Sequence, residues 1–174
     1  MLFRSNGSRH VQLAEARLAR SPSYVVPEAL GMTTAASPGA SPAKEGIGNV
    51  NDHDPATKYL NTAGPDSGFT VSFDTPEAMN SLLLVSRSND DTWQWDPKTW
   101  RVLGSNVSAD WNAAVWTELG AGDTLLGDAR GSTSVVAFDN TTAYKYYAVV
   151  FPEVKGSVNG KQYLHIAEIG RAHV

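Results

Sequence analysis

The amino-acid sequence predicts an all-β protein built as an antiparallel β-sandwich or jelly roll. Residues 69–73 alternate apolar and polar side chains, which is the pattern of a strand with one buried face. Residues 82–85 form a continuous apolar run, as in a central strand. Turn-forming residues separate these segments, and no long amphipathic helical pattern interrupts them. Several short strands at such spacing are typical of sandwiches.

The strand pattern continues through the C-terminal half of the chain. The further predicted strands are 99–102, 115–119, 134–138, 144–151 and 163–169. Trp100 and Trp116 lie in these strands and are expected in the core, whereas Trp111 follows a polar stretch and fits either core or surface. The one helical candidate is 54–59, because Asp54 suits an N-cap and Pro55 the first helical position.

Composition excludes several classes of function. The chain has 174 residues, 41% of them apolar, and a formal net charge of −4, which argues against a general nucleic-acid binder. The chain contains no run of 18 apolar residues, so membrane insertion is not predicted. The cysteine count is 0, which rules out disulfides and thiolate metal sites. The histidines show no pair at metal-ligand spacing, so zinc is not expected.

Both ends of the chain resemble a translated sequencing-library adapter. Residues 169–174 match the adapter in one frame after back-translation, and residues 1–5 match its reverse complement. We therefore expect scars at 1–5 and 170–174, and a fragment cut from a larger protein. Codons that differ from the adapter would disprove this.

A short internal repeat predicts a tandem array. The segment NGSRHVQLAEA at 6–16 aligns without a gap to NGKQYLHIAEI at 159–169, and both alternate as a half-buried strand does. Residues 6–20 are therefore predicted to be the closing strand of an upstream copy, although a chance match over so short a window is the alternative. Residues 21–42, rich in Pro, Ser and Ala, are predicted to be a linker before a domain at 43–169.

Four motifs along the domain resemble those of discoidin-like domains, in the same order. NDHDPATKY at 51–59 resembles the family's opening DGDPxTxW, and WDPKTWRVLGSN at 95–106 is similar to RDPxxWxLxGSN. AYKYY at 143–147 resembles aYrYyrl, and IAEI at 166–169 resembles the closing iAEi. The departures are His53 for Gly, Tyr59 for Trp and Trp95 for Arg.

This family, also called coagulation-factor type-C domains, includes a large group of carbohydrate-binding modules. The resemblance covers residues 43–169 and implies an eight-stranded, galactose-binding-like jelly roll. It also implies a structural calcium ion and ligands held by loops at one end of the sandwich. It does not specify the ligand, because one fold serves many functions.

The predicted calcium site lies in the opening motif. Asp52, Asp54 and Thr57 supply hard oxygen ligands within one tight turn, as Ca²⁺ requires. The resemblance implies that Glu168 of the closing motif completes the site. The alternative is a turn without metal, in which Asp54 acts only as a cap.

The predicted ligand loop lies between two strands, at 88–95. Its indoles can stack on the apolar face of a sugar while polar side chains bind the hydroxyls. The candidate ligand-binding residues are Trp93, Trp95, Asn89, Asp90, Asp91, Arg87, Arg130 and His53. In the alternative, the tryptophans cover the core and the arginines and His53 are merely solvated.

These observations predict a non-enzymatic carbohydrate-binding or adhesion module of a secreted, extracellular or cell-surface protein. The expected partner is a glycan or polysaccharide. One alternative is a structural spacer or adhesin repeat that binds a cell-surface protein, and the exposure of Trp93 separates the two. A second alternative is part of a glycoside hydrolase using Asp52, Asp54, Asp90 and Asp91, but no catalytic motif accompanies them.

Overall fold

The computed structural model describes residues 32–89 and 91–170, which form ten strands and two short 3₁₀ helices. The strands are β1 (Met32–Ala36), β2 (Tyr59–Asn61), β3 (Ser67–Glu77), β4 (Ser81–Val85), β5 (Thr99–Ser105), β6 (Thr117–Asp123), β7 (Thr133–Ala137), β8 (Tyr144–Phe151), β9 (Leu164–Ile166) and β10 (Glu168–Gly170). The 3₁₀ helices are Ile47–Asn51 and Trp93–Trp95. Within the described ranges, no helix is long and apolar enough to cross a bilayer.

Eight of the strands form the two main sheets of a sandwich. The larger sheet has the order β1-β3-β8-β5-β6 and the smaller one the order β10-β4-β7. Strands β2 and β9 form a separate pair, and every pairing is antiparallel. The predicted all-β, antiparallel, eight-stranded sandwich is confirmed.

The core lies between the sheets and is filled by apolar side chains from both. Phe69 and Val149 enter from the larger sheet and Leu84 and Ile169 from the smaller, all with at most 1% of their surface exposed. Burying each such side chain contributes about 1.5–3 kcal/mol. Tyr59 is also buried, and its hydroxyl donates to the Gly68 carbonyl oxygen at 3.0 Å, so its polar atom is satisfied.

Two of the family-like motifs hold each other in place. The Asn106 amide donates to the Ala143 carbonyl at 3.0 Å and accepts from the Lys145 backbone N–H at 2.7 Å. A Cβ on Gly104 would lie 2.6 Å from the Tyr144 ring, so this position requires glycine. The GSN and AYKYY segments therefore have a structural role in joining β5 to β8.

The linker prediction is wrong for residues 32–36. These residues form β1, which pairs antiparallel with β3 from Met32↔Phe73 to Ala36↔Phe69. Ser37 continues the contact, because its hydroxyl accepts from the Gly68 backbone N–H at 2.9 Å. An edge strand pairs through its backbone and needs little apolar patterning, which is why the small residues of MTTAA concealed it.

Three local predictions also differ from the structure. Residues 54–58 form a turn rather than a helix, and Tyr59 begins β2. The Asp54 carboxylate accepts from the Ala56 N–H, two residues on, which stabilises the turn. The strand expected at 115–119 is Thr117–Asp123, and Trp116 is half-buried outside the core.

The closing segment is not half-buried but buried on both faces. It divides into β9 and β10, which pair with β2 and β4 respectively. The upstream repeat copy, residues 21–31 of the linker and the scar residues lie outside the described residues, except Gly170, which ends β10.

Candidate functional site

Turn 52–58 and the β4–β5 loop lie together at one end of the sandwich. The Arg87 Nε donates to the Ala56 carbonyl at 2.8 Å. The Ser88 backbone N–H donates to the Pro55 carbonyl at 2.9 Å. These two bonds fix the start of the loop on the turn. The structure therefore places the predicted calcium residues and the predicted ligand loop side by side.

Three of the four predicted calcium residues, Asp52, Thr57 and Glu168, bring side-chain oxygens together. Asp54 contributes only its backbone N–H, because its carboxylate accepts from the Ala56 N–H at 2.9 Å. The Asp52 carboxylate accepts from the Asp54 N–H at 2.9 Å and from the Thr57 hydroxyl at 2.7 Å. Glu168 Oε1 accepts from the same Asp54 N–H at 3.1 Å. Antiparallel pairing of β10 with β4 brings Glu168 to this turn, opposite Val85.

Two carboxylates meet at the centre of this group. Burial, together with the hydrogen bond to Asp52 and its negative charge, raises the pKa of Glu168 to about 8. Burial also raises the pKa of Asp52, but the hydrogen bonds from Thr57 and Asp54 outweigh it, and the pKa is lowered overall. The coupled pair therefore retains a proton to higher pH than an isolated carboxyl group does.

The donor set fits a hard cation but supplies only part of its shell. Within residues 32–89 and 91–170, no three His, Cys, Asp or Glu side chains are grouped closely enough to hold a metal by themselves. Asp52, Glu168 and the Thr57 hydroxyl offer oxygens, and the rest of a calcium shell would come from backbone carbonyls and water. A bound cation would displace the proton that this carboxylate pair retains.

Trp93 is exposed at the tip of the β4–β5 loop. Its side chain is 37% exposed, and it is the one exposed aromatic residue in the described part of the chain. Asn89 and Asp91 in the same loop are also exposed, whereas Asp90 lies outside the described residues. The loop thus presents an indole and polar side chains to solvent, the combination that sugar binding requires.

The other predicted ligand residues are placed differently. Trp95 is half-buried against Tyr163, with ring centroids 4.9 Å apart, and its Nε1 donates to the Lys161 carbonyl at 3.0 Å. Arg130 is largely buried, because its guanidinium pairs with the buried Asp96 carboxylate, so it does not border the exposed loop surface. His53 is exposed, in a depression beside Glu168 on the outer side of the smaller sheet. Arg87 positions the loop through Ala56, as described above.

Solved structures show what this architecture is similar to. The family 32 carbohydrate-binding module of Clostridium perfringens NanJ, in complex with galactose, has a TM-score of 0.63 at 13% identity, covering 86% of this chain and 98% of that one. A module from a family 31 glycoside hydrolase of the same organism has a TM-score of 0.66 at 16% identity, covering 86% and 95%.

A third similar structure is the family 32 module of AlyQ in complex with 4,5-unsaturated mannuronic acid. It has a TM-score of 0.57 at 15% identity, covering 82% of this chain and 95% of that one. This chain has the discoidin-like, galactose-binding-like fold of these modules. No protein-family model matches the sequence, and no curated protein matches it. The expected fold is confirmed; at such low identities the likeness extends no further.

A buried ion cluster beneath the ligand loop was missed at the sequence level. Asp96 is fully buried and accepts from Arg130 Nη1 at 2.6 Å and Nη2 at 3.2 Å. His165 Nε2 lies 2.7 Å from Asp96 Oδ1, and Lys155 Nζ lies 3.8 Å from Oδ2. Asp96 and Pro97 are among the turn-forming residues that separate the predicted strands, so the local pattern indicated only a turn here, although the place of Asp96 in the WDPKTW motif was a signal. The cluster joins three loops and strand β9 at this end of the sandwich.

Proposed function

We propose that this chain is a non-catalytic carbohydrate-binding module that binds glycans through the β4–β5 loop. The exposed indole of Trp93, on a fold shared with modules solved in complex with galactose, carries the proposal. The indole stacks on the C–H face of a sugar ring, and the polar side chains of Asn89 and Asp91 bind its hydroxyls. A Trp93 folded into the core would have favoured the spacer alternative.

We further propose that a structural calcium ion occupies the turn at Asp52, Thr57 and Glu168. The ion supplies positive charge to two adjoining carboxylates and ties turn 52–57 to β10. The ligand loop rests on this turn through Arg87 and Ser88. Calcium thus acts on binding indirectly, by holding the loop that carries Trp93.

The proposed setting is a secreted multidomain protein that acts at a cell surface or on an extracellular polysaccharide. Similar modules occur in proteins with a catalytic domain, among them a family 31 glycoside hydrolase. A module of this kind concentrates its parent on the substrate, and arrays of modules gain avidity from weak individual sites.

A glycan panel tests the proposal. We expect the chain to bind galactose- or N-acetylgalactosamine-terminated glycans in the presence of calcium, and Trp93→Ala to weaken that binding about tenfold or more. Chelator should weaken wild-type binding as well, because the loop loses its support. Val135→Ala is the matched control, since Val135 is 39% exposed on β7, away from the β4–β5 loop.

Two results would contradict this function. Unchanged affinity in Trp93→Ala would remove the site from the β4–β5 loop. A folded chain that binds no glycan with or without calcium would instead favour the protein-binding adhesin or spacer alternative.

A further inference from the structure

A second aromatic cleft lies on the outer face of the larger sheet. It has a volume of about 220 Å³ and is lined by Trp111 and Trp116, by Arg101 of β5 and by Asp66. The two indoles belong to the β5–β6 loop, residues 106–116, which starts from the end of the sandwich opposite to Trp93. The cleft shares no residue with the ligand loop.

The loop that carries these indoles is held by its own hydrogen bonds. Its first residue, Asn106, is fixed to Ala143 and Lys145 of the neighbouring segment. Trp116 Nε1 donates to the Asp110 carbonyl at 3.1 Å, and Asp110 Oδ1 accepts from the Asn112 N–H at 3.0 Å. A loop fixed in this way loses little entropy when a ligand binds.

The position of these indoles differs from that of a core tryptophan. Trp100 is 5% exposed, packs on Phe138 and donates its Nε1 to the Asp123 carbonyl. Trp111 and Trp116 are only half-buried and border a concave surface. Aromatic surface of this kind on a cleft marks a candidate binding site.

The polar groups of the cleft are one donor and one acceptor side chain. Arg101 is oriented by Glu118, to which its Nε and Nη2 donate at 3.0 and 2.8 Å. A guanidinium has five N–H donors, so others are available to a ligand hydroxyl. Asp66 offers an acceptor, and Leu103, Ala148 and Val150 form an apolar floor.

We propose that this cleft is a second glycan site, which binds one neutral pyranose ring. A pyranose has an apolar C–H face for the indoles and hydroxyls for Arg101 and Asp66. The carboxylates of Asp66 and Glu118 outnumber Arg101, so an acidic sugar is repelled. The volume suits a single ring and is below the range of drug-sized pockets. This site extends the glycan-binding function proposed above, and two sites on one domain would make it bivalent.

The indole N–H signals of the 5 tryptophans provide a direct test by nuclear magnetic resonance. The probes are methyl galactoside, methyl N-acetylgalactosaminide and, as the acidic control, glucuronate. We expect the neutral probes to shift the Trp111 and Trp116 signals at millimolar concentration, in wild type and in Trp93→Ala alike. In Trp111→Ala, the affinity measured from the Trp116 signal should fall about tenfold, while the Trp93 response is retained.

Arg101→Gln provides a second variant that leaves both indoles in place. The Arg101 side chain is 42% exposed, so the substitution should not impair folding. We expect the affinity for the neutral probes to fall about tenfold at this cleft alone. Shifts confined to Trp93 would overturn the second site and leave the proposed function standing. Shifts confined to Trp111 and Trp116 would overturn the site on the β4–β5 loop and leave the second site standing. A response to glucuronate equal to that of the neutral probes, or no response to any probe, would overturn this proposal.

Discussion

Two buried carboxylates at the same end of the sandwich are stabilised in different ways. Asp96 is 0% exposed and is surrounded by Arg130, Lys155 and His165. Glu168 is 4% exposed and lies against a second carboxylate, Asp52. The protein's own cations balance the first charge, whereas the second is balanced by a proton or by an added cation. We therefore expect the first group to be a permanent part of the framework, and the second to make stability depend on pH and on the calcium ion proposed above.

The largest expected effect comes from breaking the Asp96 cluster. Asp96→Asn removes the buried carboxylate at the centre of a group whose cationic side chains are at most 16% exposed, and leaves the Arg130 guanidinium without its carboxylate partner. We expect a loss of about 3–5 kcal/mol in the free energy of unfolding, measured by chemical denaturation. The paired substitution Asp128→Asn removes an exposed partner of Lys155, with 71% exposure, and should cost under about 1 kcal/mol. Equal costs for the two variants would show that Asp96 is not an organising charge.

The second prediction concerns the pH dependence that Glu168 confers. Its pKa is raised from 4.5 in the unfolded chain to about 8 in the folded protein, so between these values the folded state binds more protons. The stabilisation is complete below about pH 4.5 and is lost as pH rises through 8. In chelator we expect the free energy of unfolding to fall by about 1 kcal/mol per pH unit across this window.

Calcium and one variant sharpen this comparison. Saturating calcium should raise stability at pH 8, by about 2.7 kcal/mol at 100 times its dissociation constant, and should flatten the slope. Glu168→Gln should abolish both the slope and the response to calcium, whereas Asp96→Asn should keep both. A slope of the same size in Glu168→Gln would show that other groups cause the pH dependence.

The two carboxylates also differ in how far the sequence revealed them. Glu168 and Asp52 were found because the closing and opening motifs resemble one family, and the structure brings them together. Asp96 was not found as a charge centre, because its partners lie 34 to 69 residues away, in other loops and in β9, and share no local pattern. Local patterning likewise predicted strands with strong alternation, such as the part of β3 at 69–73. It missed β1, whose pairing depends on backbone hydrogen bonds with β3.

The smallest expected effect separates the Thr57 hydroxyl from the shape of its side chain. The hydroxyl lies 2.7 Å from Asp52 Oδ2 and 3.0 Å from the Asp54 carbonyl, in an exposed part of the turn. Thr57→Val keeps the shape but loses this bond, which should cost about 0.5–1.5 kcal/mol in chelator. Thr57→Ser keeps the hydroxyl and should cost less.

Comparing Thr57→Val with and without calcium shows whether the Thr57 hydroxyl is a ligand of the ion. If the hydroxyl is also a ligand of the ion, the loss in Thr57→Val grows when calcium is present, because the variant loses affinity for the ion as well as a hydrogen bond. Thermal unfolding of both variants, with calcium and with chelator, measures the difference. A loss in Thr57→Val that is equal under both conditions would leave Thr57 as a structural hydrogen-bond donor to Asp52 and remove it from the calcium shell.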